Sequence, residues 1–299
     1  MKTAVLLITF NRLDCVKEVL AAISKAKPPR LYIASDGPRQ QKDGEKAKVE
    51  DIRQYLLNHI DWDCEIKTRF LEVNSGGCKY GVSGAVTWFF SQEPEGIILE
   101  DDCVPDVTFF SFCEKLLDKY RDNKKVWHIA GDAPIDVDIP ESYYFAKIQH
   151  CWGWASWADR WKYFSLDVSQ YGEEVITKFS SSPKVQKYWR NIQKKLNNNE
   201  IDTWDYQWGF HIVANDGLCI NPAHCLVSNI GEDGVHYKNG GDELNRKTVP
   251  VKTIIHPQKI TINEQFVEKI YIERYKIKPV FVRKYMLFNI FPFLIIKEK

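Results

Sequence analysis

The sequence predicts an α/β fold: a mostly parallel, Rossmann-like sheet flanked by helices, with a smaller subregion built onto the same domain. Three observations predict it. Through residue 130, short apolar runs alternate with stretches of helical period, as in chained βαβ units. These runs are short and nearly continuous in apolar residues, as buried parallel strands are, and they exit into polar loops. The 299 residues are 44% hydrophobic and 27% charged, enough apolar material for a sizeable core.

The elements follow in order. Residues 4–8 read as the first strand and 14–24 as a helix with Val16, Val19, Leu20 and Ile23 on one face. Residues 31–34 form the second strand and run into Ser35-Asp36-Gly37-Pro38; 42–59 is a charged amphipathic helix; 65–73 is the third strand. The turn Asn74-Ser75-Gly76-Gly77 precedes a helix at 82–91, and 97–99 is the fourth strand. A helix at 109–120 and a strand at 126–130 complete the regular part. Beyond Gly131 the pattern loosens into a strand at 143–148, an aromatic-rich stretch at 150–161, a polar helix at 184–196 and irregular strands within 218–229. The expected organisation is a first half over 1–130, a second half of the same domain over 131–250, and a C-terminal extension over 251–299.

The bulk numbers exclude several classes. Net charge is +1, so the chain is no evident nucleic-acid binder. From Lys269 onward there are eight basic residues against two acids, a net of +6, leaving −5 for the rest. Within the apolar, basic stretch 280–296, the run 286–296 is too short to span a bilayer, which takes ~20 apolar residues, and it contains Pro292. A segment of this kind can lie in a membrane interface, and it can equally pack on its own core or stay disordered. The eight cysteines form no C-x-x-C pair, which argues against structural zinc. The N-terminus lacks the long apolar stretch and cleavage site of a signal peptide, so a cytoplasmic, reducing location is expected.

The chemistry concentrates at Glu100-Asp101-Asp102, directly after Ile97-Ile98-Leu99. Three consecutive carboxylates repel one another unless a cation sits among them. Hard oxygen ligands suit Mg²⁺ or Mn²⁺, and ligands of open α/β sheets bind at the carboxyl ends of strands. A solvated acidic turn is the plainer alternative. Asn11-Arg12 after the first strand and Asp36 after the second would share that edge; Arg12 suits a diphosphate, and Asp36 suits either a base N–H or a turn. The Gly76-Gly77-Cys78-Lys79 stretch has neither P-loop nor dinucleotide spacing, yet lets phosphates approach backbone, with Lys79 adding charge.

Farther along, His150-Cys151-Trp152-Gly153-Trp154-Ala155-Ser156-Trp157 is dense in indoles that stack on sugar faces or pack a core, and Gly153 marks a close passage beside a ligand or another backbone. In Asp202-Thr203-Trp204-Asp205-Tyr206-Gln207-Trp208, Asp202 suits the N-cap of a following helix, while Asp205 among aromatics is the general-base candidate. Trp204 joins the sugar-binding candidates. His236, in a glycine-rich stretch, is a candidate metal or diphosphate ligand, although a lone loop histidine is more often neither.

Taken in order, these motifs resemble the bacterial relatives of N-acetylglucosaminyltransferase I, glycosyltransferases of the GT-A fold. The match runs over roughly the first 240 residues. The resemblance implies a nucleotide-sugar donor, usually a UDP-sugar, with Mn²⁺ or Mg²⁺ at its diphosphate. It implies that Asp102 ligates the metal, that Glu100 and Asp101 hold ribose, sugar or metal waters, and that Asp36 meets the base. Asp205 would take the acceptor's proton in a single inverting displacement. The implied acceptor is a glycan or lipid-linked oligosaccharide of the cell surface, and the basic tail would bring the protein to the inner face of the membrane. The rival expectations are a nucleotidyltransferase that makes nucleotide-sugars and a non-catalytic carbohydrate-binding protein on the same fold.

Overall fold

The first strand, β1 (Ala4–Thr9), is buried along its whole length, and its two faces divide the core. Val5 and Leu7 meet Val16 and Leu20 of helix α1 (Leu13–Ala26), whereas Ala4, Leu6 and Ile8 pack with Val82, Val86 and Phe89 of helix α3 (Cys78–Phe90). This is the period-two consequence of a strand covered by helices on both sides. A computed structural model describes residues 1–232, 244–287 and 291–298, with side chains described to residue 280.

Strands β2 (Arg30–Ser35), β3 (Glu65–Phe70) and β4 (Glu95–Glu100) join β1 in parallel, with helix α2 (Glu45–His59) linking β2 to β3. The short β5 (Cys103–Pro105) and helix α4 (Val107–Tyr120) follow. Asp106 caps α4 by accepting from the Thr108 amide at 2.8 Å, a contact worth about 1 kcal/mol. Strand β6 (Val126–Ala130) ends the regular alternation.

The chain then supplies β7 (Tyr143–Ala146), β8 (Trp154–Trp157), short α5 (Ala158–Trp161), and helices α6 (Glu173–Phe179), α7 (Pro183–Asn197) and α8 (Asp205–Ala214). Strands β9 (Leu218–Pro222) and β10 (Val227–Asn229) come next. The eight-stranded sheet runs β3-β2-β1-β4-β8-β6-β9-β7, so it is continuous across Gly131. β8 wedges antiparallel between β4 and β6, with Ala155 opposite both Ile97 and Ile129. The aromatic stretch of the sequence is thus a central strand, buried on both faces and without the alternation that reveals a half-exposed one.

A second core gathers α6, α7, α8 and helix α9 (Glu264–Glu273). Trp189 stacks on Phe179 at 3.9 Å and donates to the Tyr271 hydroxyl at 2.9 Å. Residues 251–280, expected as an extension, therefore contribute to this core through Val267, Ile270 and Tyr271. The end of the chain forms an antiparallel hairpin, β11 (Val280–Leu287) with β12 (Phe291–Glu298), where a tail was expected. No helix among the described residues is long and apolar enough to cross a membrane.

Candidate functional site

The parallel register sets Thr9 beside Ser35 and Ile8 beside Glu100. The segments that follow β1, β2 and β4 therefore leave the sheet on one edge, bringing Asn11, Arg12, Asp36 and the acid triplet together. Asp101 turns inward and is 4% exposed; its carboxylate accepts from the Phe10 amide at 3.2 Å and from the Arg12 guanidinium. The same guanidinium reaches Asp102 Oδ2 at 2.9 Å, while its other terminal nitrogen, Nη1, is buried with no hydrogen-bond partner among the described residues. Burial pushes Asp101 up to about 6 against the pull of Arg12. Burial and then the charges of Asp102 and Asp101 push Glu100 up to about 8. The repulsion expected of consecutive carboxylates is thus present, relieved in part by one arginine.

Two chain segments wall the acids. β10 pairs antiparallel with β5, and the Ile230 amide donates to the Asp102 carbonyl at 2.9 Å. A Cβ on Gly231 would lie 2.3 Å from Asp102 Oδ2 and 2.8 Å from Arg12 Nη1, so only glycine fits this cradle. His236 lies outside the described residues. Among the described residues the carboxylate oxygens of Asp102 bond to Arg12 and the Cys103 thiol, the latter at 3.4 Å from Oδ1, and they are hard donors suited to Mg²⁺ or Mn²⁺. No group of three or more metal-ligating side chains gathers among the described residues. A dication fits here as an ion held by few protein oxygens, with the rest of its shell coming from water or a bound phosphate.

The other donor-side candidates are already engaged. Asp36 accepts from the amides of Gly37 (2.8 Å) and Ser75 (2.9 Å), the Ser75 hydroxyl (2.7 Å) and the Asn74 amide group (3.1 Å). Two bonds to each oxygen fill its acceptor positions, so Asp36 acts here as a clamp on the glycine turn. The Asn11 amide group donates to Glu45 at 2.9 Å. Glu45 is 4% exposed and also binds Arg39; hydrogen bonds from Arg39 first, then from Asn11, hold it down to about 2. The Lys79 ammonium turns to Asn199 at 2.8 Å. Gly76 has φ +97°, a left-handed conformation that glycine adopts freely. Sequence reasoning missed Glu45, Asn74, Ser75 and Gly231 because their importance comes from partners distant in the chain.

The indoles divide sharply. Trp154 and Trp204, expected at a sugar, are 0% and 2% exposed and stack on each other at 5.4 Å. Trp154 also stacks on His128 at 5.2 Å, so its faces are spent in the core. His128 is neutral there: Nε2 donates to the His150 carbonyl at 2.8 Å and Nδ1 accepts from Trp208 at 3.3 Å, while burial pushes it down to about 4. Trp152 alone of the three is partly exposed, with the Arg274 guanidinium 4.9 Å from its ring centre. Gly153, at φ +66°, passes against Val227 and Leu99, where a Cβ would come within 2.8 Å of Val227; the close passage is made by protein.

Asp205 is the first residue of α8, where a carboxylate is favoured by the exposed amides of the helix start. It is partly exposed and accepts from the Thr203 hydroxyl. Its charge is the last among those that raise Glu100, after burial and the charges of Asp102 and Asp101, which puts Asp205 within electrostatic reach of the triplet. The expected N-cap role of Asp202 takes a different form. α8 begins after Trp204 without a side-chain cap, and Asp202 instead accepts from the first amides of α3, Cys78 at 2.9 Å and Lys79 at 3.1 Å.

No protein-family model matches the chain, and no curated protein matches it. Solved structures of distant sequence do. A mannosyltransferase, PcManGT from Pyrobaculum calidifontis in complex with GDP-Man and Mn2+, is 13% identical over 72% of this chain and 71% of its own, with a TM-score of 0.39. Mouse xyloside xylosyltransferase 1 is 10% identical over 72% of this chain and 82% of its own, at 0.36. A 4-diphosphocytidyl-2C-methyl-D-erythritol synthase from Anaerococcus prevotii is 12% identical over 72% and 97%, at 0.32.

Proposed function

We propose that the protein is a glycosyltransferase that moves a sugar from a nucleotide-sugar, with UDP-sugars the first to assay, to a glycan or lipid-linked acceptor with the help of Mn²⁺ or Mg²⁺. The observation that supports this most is the cluster of Arg12, Asp101 and Asp102 at the carboxyl ends of β1 and β4, with Asp205 at the start of α8 within electrostatic reach of the neighbouring Glu100. Asp102 would hold the cation, which supplies charge neutralisation for a departing diphosphate. Arg12 and the Gly77 amide would offer donors to the phosphates, while the Gly76 amide already donates to Asn74 Oδ1 at 3.1 Å and shapes the loop, and Lys79 follows in the first turn of α3.

In the displacement, the acceptor oxygen forms a bond to the anomeric carbon. The bond from that carbon to the diphosphate oxygen breaks, and the nucleoside diphosphate leaves with the electron pair. Asp205 takes the acceptor's proton, and one displacement inverts the centre. Trp152, with its partly exposed face, is the sugar platform on the acceptor side. The C-terminal hairpin would bring the protein to the cytoplasmic face of a membrane carrying a lipid-linked acceptor. Turnover of UDP- and GDP-sugars with Mn²⁺ and with EDTA tests the reading in wild type, Asp102→Asn and Asp205→Asn. Metal-dependent turnover lost in both variants is expected. Pyrophosphate release from UTP and a sugar phosphate, without sugar transfer, would point instead to nucleotidyl transfer.

A further inference from the structure

We infer that Asp202 is a positioning residue that locks the donor-side glycine turn to the acceptor-side acid Asp205. The inference rests on the function proposed above. Asp202 stands 124 residues from Cys78 in sequence, yet its two oxygens divide between the Cys78 and Lys79 amides, at 2.9 and 3.1 Å. α3 has no cap of its own: its N-cap residue is Gly77, at φ +128°, which has no side chain to offer. A Cβ there would lie 2.4 Å from Asp202 Oδ2, so the close approach demands glycine in both conformation and space. A second strut runs beside the first, from the Lys79 ammonium to Asn199 at 2.8 Å.

The other end of the turn is fixed by Asp36, through Asn74 and Ser75. The stretch 74–79 is therefore held at one end by the exit of β2 and at the other by the segment that enters α8. Asp202 and Asp205 are three residues apart, and Thr203 between them bonds the Asp205 carboxylate. One short segment thus sets both the place of the phosphate-facing backbone and the place of the base. Asp202 is itself exposed, and both of its carboxylate oxygens are taken up by the α3 amides. Its part is to fix a distance between two groups, and rates depend steeply on such distances.

The test compares wild type with Asp202→Ala, Asp202→Asn and Gly77→Ala, each checked for folding by circular dichroism. kcat at saturating acceptor, calorimetric affinity for UDP with Mn²⁺, and hydrogen exchange at 76–80 are measured together. Asp202→Ala is expected to lower kcat about 10- to 100-fold while UDP affinity holds, and to speed exchange at Cys78 and Lys79. Asp202→Asn keeps an acceptor oxygen and is expected to restore most of the rate. Gly77→Ala disturbs the same contact from the other side, should lower kcat and speed exchange at Cys78 and Lys79 as the alanine variant does, and carries the test on those two readouts if Asp202→Ala does not fold. Faster exchange with wild-type kcat would reduce Asp202 to a helix cap and overturn the inference. Weaker UDP binding with unchanged kcat would also overturn it. If wild type turns over no nucleotide-sugar, the proposed function fails and takes the inference with it.

Discussion

The sheet edge that carries the acids and the wall that carries the tryptophans are built on opposite principles. At the edge, buried or partly buried carboxylates lean on arginines, Asp101 and Asp102 sharing Arg12 and Glu45 bound to Arg39 and to the Asn11 amide group. In the wall, Trp154, Trp204 and Trp208 are buried and bound mainly to one another, with neutral His128 between two of them. The edge is held by electrostatics and answers to pH and ions. The wall is held by packing and answers to volume. Trp152, at its margin, is partly exposed, with the Arg274 guanidinium over its ring.

The largest expected effect breaks the wall. Trp154→Ala should cost about 3–5 kcal/mol in urea unfolding, through lost burial and a cavity. Arg12→Ala should cost about 3 kcal/mol near neutral pH, because it strands the buried Asp101 carboxylate, and part of that loss should return at lower pH as Asp101 takes up a proton. Glu45 gives a smaller, pH-resolved effect. Its folded-state pKa is held down to about 2, below its unfolded value, so its contribution is full above pH ~4.5 and fades as pH falls toward 2. The stability gap between wild type and Glu45→Gln should close over that window. Trp152→Ala should change stability least and raise the acceptor KM, and an unchanged KM would remove Trp152 from the acceptor side.

The same division explains what could be read in advance. β1, β2, β4 and α1 announce themselves by local patterns, and their order places Asn11, Arg12, Asp36 and the triplet on one edge. α3 begins at Cys78, four residues before the expected start, because its cap is Asp202, far along the chain. β8 carries no alternation, since both of its faces are buried in a mixed sheet. Asp36 reads as a base ligand or a turn residue, whereas its four bonds come mostly from Asn74 and Ser75, across the β2–β3 edge. Periodicity reports on a residue's neighbours in the chain, and these assignments depend on neighbours in space.

The central claim is that the acid edge binds a nucleoside diphosphate together with a divalent cation held by Asp102. Calorimetric titration of UDP and GDP into wild type and Asp102→Asn, each with Mn²⁺ and with EDTA, tests it most directly. The account predicts binding to wild type that depends on Mn²⁺, and a variant in which that dependence is gone. Equal affinity in all four arms, or no binding of either nucleotide to wild type, would contradict it.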